Sequence, residues 1–204
     1  MPEFQAFPKI YRLNREVVVT EKLDGTNACV VIEAGSVADP QDGWCAALDV
    51  DGVWLKIGAQ SRGRAITPED DNFGFAAWVR ENAQVLSQLG IGYHYGEWWG
   101  LGIQRGYGLK ERRFSLFNVT RWQYERPTCC HVVPVLARGV GFGIATEGLD
   151  WLRLHGSVAS PGFMKPEGIV AFHAQGNILL KATLERDEEP KGKASPPAPP
   201  APLR

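Results

Sequence analysis

Val17-Val18-Val19-Thr20-Glu21-Lys22-Leu23-Asp24-Gly25-Thr26-Asn27 sets a β-branched run against a lysine and a tight Asp-Gly turn. Valine and threonine suit a pleated, half-buried strand, and Asp-Gly reverses a chain cheaply. The segment therefore reads as a strand, a turn at Leu23–Gly25, and a second strand. Alternation puts Lys22 on the face of Val18 and Thr20, opposite Val17, Val19 and Glu21. Taken alone, the segment also reads as a surface lysine beside a hairpin turn. The rest of the chain decides between the two.

Outward from this turn the pattern is strand-rich. Strands are expected at residues 28–33, 44–50 and 53–60, the last two flanking Asp51-Gly52, the strongest hairpin signal present. Residues 72–89 change to helical period, with Phe75, Trp78, Val79, Val85, Leu86 and Leu89 on one stripe. Asp70, Asp71 or Asn72 can cap that helix, and Gly90 can end it. Strands follow at 93–99, 114–120 and 131–136, then a shorter helix at 147–154. Strands 167–174 and 178–185 close the pattern around Gln175-Gly176-Asn177. The expected fold class is α+β, with mostly antiparallel pairing.

The chain has 204 residues, 44% hydrophobic and 22% charged, with a net charge of −1. That suits one large domain with a full core and excludes a broadly basic nucleic-acid wrapper, though not a local basic patch. No apolar run approaches a membrane span and Met1–Lys9 shows no signal-peptide core, so a soluble, cytoplasmic protein is expected. Cys29, Cys45, Cys129 and Cys130 lack zinc spacing and read as reduced thiols. The scattered His94, His131, His155 and His173 show no metal-ligand pairing. Residues 186–204 are Pro- and Ala-rich and read as a disordered tail after a domain spanning 1–185.

Several chemistries are absent. There is no P-loop lysine motif and no GxSxG elbow. Gly100-Leu101-Gly102-Ile103-Gln104-Arg105-Gly106 misses the dinucleotide fingerprint, and no helix pattern follows it. What remains is charge inside apolar strands. Glu97 lies in Tyr95-Gly96-Glu97-Trp98-Trp99-Gly100, Glu167 heads Gly168–Phe172, and Lys181 sits within Leu179–Leu184. Such charges are costly unless paired or functional. Together with Lys22 they suggest one shared polar pocket; salt bridges to structural arginines are the alternative for the two glutamates.

In this order the segments resemble the covalent nucleotidyltransferase superfamily, and most closely its ATP-dependent RNA ligase branch, typified by the second RNA ligase of phage T4. Lys22–Asn27 looks like the family's K-x-[DH]-G-x-N element. Gly96–Gln104 resembles the branch's G-E-x-x-G-x-G-I-Q stretch. Phe114–Val119 is similar to F-x-x-F-D-I, Glu167–Val170 to E-G-[IYV]-V, and Lys181 to the final lysine motif. The resemblance implies an antiparallel-sheet nucleotidyltransferase (ATP-grasp-like ligase) domain with flanking helices, comprising the adenylyltransferase domain only.

The implied activity is ATP-dependent RNA ligation through a lysyl-AMP intermediate, as in RNA repair. Lys22 would be the nucleophile, and Lys181 the cation that assists it. A free lysine is neutral only about once in 2,500 at pH 7, a handicap of roughly 4.6 kcal/mol that a nearby cation and a divalent metal would reduce. Glu21, Asn27, Arg62, Glu97, Phe117 and Lys181 would contact the nucleotide. Glu167 and Glu97 would hold Mg²⁺ or Mn²⁺, for which hard carboxylate oxygens are suited. Phe117 would stack on adenine, or simply belong to the core; Arg64 competes with Arg62 for its place. Arg105, Lys110, Arg112 and Arg113 would grip the 5′-phosphate strand of RNA, or form a solvated loop. A DNA-nick ligase, a capping-type nucleotidyltransferase and a non-sealing end-binding module are the alternatives.

Two departures stand out: Asn118 where the family has aspartate, and Leu179 where the branch often has a lysine. Relatives carry a further domain that engages nucleic acid. With none visible past Lys181, a helper protein or domain is expected to supply the grip. Finally, a three-residue loop Gln175–Asn177 is expected to set Lys181 opposite Ala171 and on the face of Glu167. Failing that loop, a bulge must restore the parity.

Overall fold

A computed structural model describes residues 2–35, 43–185 and 187. The expected tail lies outside these residues apart from Asp187, whose carboxylate accepts the Thr183 N–H at 2.7 Å. Among the described residues eleven strands form two sheets. The smaller sheet has the order β11-β10-β1-β9, from β1 (Glu16–Lys22), β9 (Val135–Val140), β10 (Gly168–His173) and β11 (Ile178–Thr183). The larger has the order β3-β4-β2-β6-β7-β8, from β2 (Thr26–Ala34), β3 (Ala46–Val50), β4 (Val53–Ser61), β6 (Gly92–Gly100), β7 (Arg112–Leu116) and β8 (Cys130–Val132). The short β5 (Ala65–Ile66) adds to β4. All pairings are antiparallel except β7 with β8.

Three apolar clusters stack the layers. One, built on Val30, Ile32, Ile57, Phe75, Val79 and Leu86, packs helices onto the larger sheet. A second, with Val18, Leu23, Trp99, Tyr107 and Val133, lies between the sheets. The third seals α4 (Gly143–His155) onto Val17, Val19, Ile169 and Ala171 of the smaller sheet. Val18 thus faces inward while Val17 and Val19 face the helix, as strand alternation requires.

Between named strands the chain passes from sheet to sheet twice, at Leu23–Gly25 and at Val133–Pro134. The two crossings are adjacent, because Glu21 N–H donates to the Pro134 carbonyl at 2.9 Å. Gly25 is obligatory for packing at the first. An added Cβ would stand 2.4 Å from the Trp98 carbonyl oxygen.

Several elements differ from expectation. The helical stripe breaks at Asn82 into α1 (Phe75–Glu81) and α2 (Ala83–Leu86), ending in a single 3-10 turn at Ser87–Leu89. Asp71 caps α1, accepting from the N–H groups of Ala76 at 2.8 Å and Ala77 at 2.9 Å. The expected strand 114–120 stops at Leu116 because Asn118 accepts the Arg121 N–H and starts the helical turn α3 (Val119–Trp122). The expected strand 131–136 is two strands in different sheets, divided at Pro134, which has no N–H to donate. The second helix begins at Gly143, a turn earlier than its period suggested.

The β10–β11 register also differs. Ala174–Asn177 form the turn, with Asn177 at φ 49°, and Lys181 pairs with Val170 rather than Ala171. Since Val170 pairs with Thr20, and Gly168 with Lys22, Lys181 lies on the inner face shared with Lys22. Glu167 precedes the ladder, next to Gly168 at φ 155°, and its carboxylate still reaches Lys22. An added Cβ at Gly168 would sit 2.1 Å from the Ala182 carbonyl oxygen, so the close approach admits only glycine.

Candidate active site

Lys22 ends β1 at the rim of the inter-sheet cluster. Its ammonium forms an ion pair and hydrogen bond with Glu167, whose side chain is 1% exposed against 20% for the lysine. Burial of that carboxylate is tolerable because it is paired.

The larger sheet faces this pair with Asn27 and Glu97, opposite one another across β2 and β6. Glu97 accepts the Gly25 N–H at 3.0 Å and the Asn27 amide at 3.3 Å. The Asn27 carbonyl oxygen in turn accepts from Arg62, Nε at 2.8 Å and a second guanidinium nitrogen closer still. Arg64 is separated from this group: its guanidinium grips Asp70 at 2.7 and 3.0 Å. Burial pushes the Glu97 carboxyl up to about 7, and Glu167 adds to the rise; Lys22, the Gly25 N–H and Arg62 oppose it.

Glu21 points to the other side of β1. Ser157 Oγ donates to it at 2.6 Å, and the N–H groups of Val158 and Ala159 donate at 2.9 Å each. Burial raises its pKa, against these three donors. Its side chain is therefore engaged in holding the loop after α4, not in the pocket. Phe117 follows β7, is 40% exposed, and donates its N–H to the Tyr95 carbonyl at 3.0 Å. That places it on the inner face next to Tyr95 and outside the core. Trp98 and Trp99 are buried in different clusters, on opposite faces of β6.

The basic loop is not one free cluster. Arg105 donates to Asp24 at 3.0 Å and to the Lys165 carbonyl at 3.0 Å. Arg112 spans the carbonyls of Leu101 and Phe73, and Arg113 pairs with Glu111; Lys110 is exposed. The same loop supplies a residue that the sequence pattern did not single out. Tyr107, 1% exposed and at φ 53°, accepts the Asp24 N–H on its hydroxyl at 3.0 Å and packs edge-on against Trp99. Burial raises its pKa, so the phenol stays neutral. Tyr107 and Arg105 thus brace the turn after Lys22. The flanking Gly106 and Gly108 were the only signal that this loop bends sharply enough to do so.

Among the described residues no cluster of three or more His, Cys, Asp or Glu could cage a metal. Glu97 and Glu167, both coupled to Lys22, nonetheless fit a Mg²⁺-type ion. Such ions take one or two carboxylates and complete their shell with water and substrate phosphates.

The two-sheet α+β body is similar in fold to solved RNA ligases. A Naegleria gruberi RNA ligase mutant with ATP and Mn matches with a TM-score of 0.56 at 20% identity, covering 91% of this chain and 58% of that one. The Naegleria gruberi RNA ligase with PPi gives 0.53 at 22% identity, covering 83% and 50%. A mutant with AMP and Mn gives 0.52 at 21%, covering 84% and 50%. The chain spans about half the length of such structures. No curated protein matches it. The RNA ligase family model matches residues 15–182, and the chain belongs to that family.

Proposed function

We propose that residues 1–185 are the adenylyltransferase domain of an ATP-dependent RNA ligase, with Lys22 as its nucleophile. The observation that carries this reading is the convergence on one cleft of Lys22, its buried partner Glu167, Lys181 on the same face, and the Glu97–Asn27–Arg62 chain opposite.

In the first step the neutral Lys22 amine attacks the α-phosphorus of ATP. A P–N bond forms, the P–O bond to pyrophosphate breaks, and the amine gives up a proton. AMP then passes to the 5′-phosphate of an RNA end. A 3′-hydroxyl attacks that phosphate and releases AMP. Lys181 is a cation on Lys22's own face, suited to the charge building on the α-phosphate. Arg62 and Asn27 orient ribose or phosphate, and Phe117 offers its open ring to adenine. A divalent ion held by Glu167 and Glu97 would supply further charge neutralisation.

Four free cysteines support a cytoplasmic setting. RNA ends, single-stranded or at a nick, are the substrate we favour. A helper domain or protein adds grip, since three of the four loop cations are engaged internally.

Incubation with α-labelled ATP and Mg²⁺ tests the reading. It expects label covalently bound to the wild type and none on Lys22→Ala. Absence of label from the wild type, or label persisting on the variant, overturns it.

A further inference from the structure

With the 105–113 loop largely engaged, the strand must be held elsewhere, and the inner face of the larger sheet offers a surface. Residues opposite one another across a ladder share a face, so Cys29 and Val31 of β2 lie with Tyr95 and Tyr93 of β6 and with Gln60 and Gly58 of β4. This is the face of Asn27 and Glu97. Tyr95 is 58% exposed and Tyr93 52%, their rings offset-stacked at 6.3 Å and 17° from parallel. Phe117 continues the row beside Tyr95.

Exposed aromatic rings cost free energy unless they are used. A pre-stacked pair is already ordered, so a planar ligand landing on it loses little side-chain entropy. On one flank Lys56 holds its ammonium 4.6 Å from the Trp44 ring, which lies over Gly58. Towards Lys22 stands Arg62. Glu33, opposite Lys56, Asp49 of β3, whose carboxylate accepts the Gly52 N–H, and Glu97 are acidic groups of this face. Aromatic faces between two cations are the chemistry of a single-stranded nucleic acid. Tyr95 and Tyr93 lie two and four residues from Glu97, or about 7 and 13 Å along the strand.

We propose that Tyr93 and Tyr95 form a stacking ledge for the bases of RNA nucleotides next to the end being joined. The ledge extends the ligase reading above and rests on it for the identity of the strand.

The test is fluorescence anisotropy of a labelled, 5′-phosphorylated single-stranded octaribonucleotide with the full chain. Three proteins are compared: wild type, Tyr93→Ala/Tyr95→Ala, and Tyr93→Phe/Tyr95→Phe. Loss of stacking weakens binding roughly five- to 150-fold per base. The alanine pair is expected to lose at least tenfold and the phenylalanine pair no more than about twofold, with an unchanged salt slope. An octamer abasic throughout should bind the wild type as weakly as the normal octamer binds the alanine pair, a comparison that holds even where the alanine pair folds poorly.

Equal binding by the alanine pair, equal binding of the abasic strand, equal loss in both tyrosine variants, or no binding by the wild type overturns the ledge. So does a wild-type dimer that the alanine pair abolishes, since a second copy would then be the occupant. Covalent labelling by ATP is measured alongside. Labelling without tyrosine-dependent binding sinks the ledge alone; tyrosine-dependent binding by a protein that never labels sinks the ligase reading alone.

Discussion

Replacing Glu97 by glutamine should make the protein more stable at pH 8 while changing little at pH 5. Burial lifts this carboxyl from an ordinary 4.5 to about 7. Between those values the unfolded chain has released the proton and the folded chain still holds it. The folded state binds more protons, so its stability falls as pH rises through that window and the loss is complete above it. At about 1.4 kcal/mol per pKa unit the full loss is about 3 kcal/mol, most of it between pH 5 and pH 8. The residue is 8% exposed, so solvent screening takes little from that figure. Glutamine cannot ionise and keeps an oxygen for the Gly25 N–H, while the long Asn27 bond is given up for about 0.5–1 kcal/mol. Urea unfolding of both proteins at pH 5 and pH 8 yields the double difference, in which Glu21 and other shared titrations cancel. The variant should gain about 2 kcal/mol relative to wild type across that interval. Stability profiles that run parallel to within about 0.5 kcal/mol would refute the reasoning.

Gly25→Ala should destabilise the fold by about 1–3 kcal/mol, because its methyl group meets the Trp98 carbonyl and the Trp99 side chain; an unchanged urea midpoint would count against the close approach. Tyr107→Phe leaves the Asp24 N–H without its acceptor, at about 1–3 kcal/mol, and should lower the rate of lysine labelling more than the apparent ATP affinity. Equal effects on both would point to general loosening rather than to positioning of the turn.

The Lys22 turn was legible because each of its residues is locally forced: branched strand formers, an inward lysine, and an Asp-Gly reversal. Glu97 and Glu167 were legible for a second reason, since charge within apolar strands needs a partner. The partners themselves were not. Ser157 meets Glu21 from 136 positions away, and nothing in Ser157-Val158-Ala159 advertises a carboxylate. Arg105 looked like a strand-gripping cation, as any arginine beside Lys110 and Arg112 would; only the folded loop turns it onto Asp24. Parity in the last hairpin failed because one residue decides it. The left-handed Asn177 closes the turn one position differently from the loop that spacing suggested, and the irregular Gly168 restores what the site requires.

The adjacent crossings at Leu23–Gly25 and Val133–Pro134 have a mechanical consequence. Two neighbouring covalent joints between two sheets define a single axis, like the spine of a book. Rotation of one sheet against the other moves each atom in proportion to its distance from that spine. Lys22 lies on it, one residue from the first joint, whereas Tyr93 rides on the open page, five residues along β6 from the Trp98 that pairs with Thr26. A rotation about that spine would widen or narrow the cleft while leaving the amine where it was.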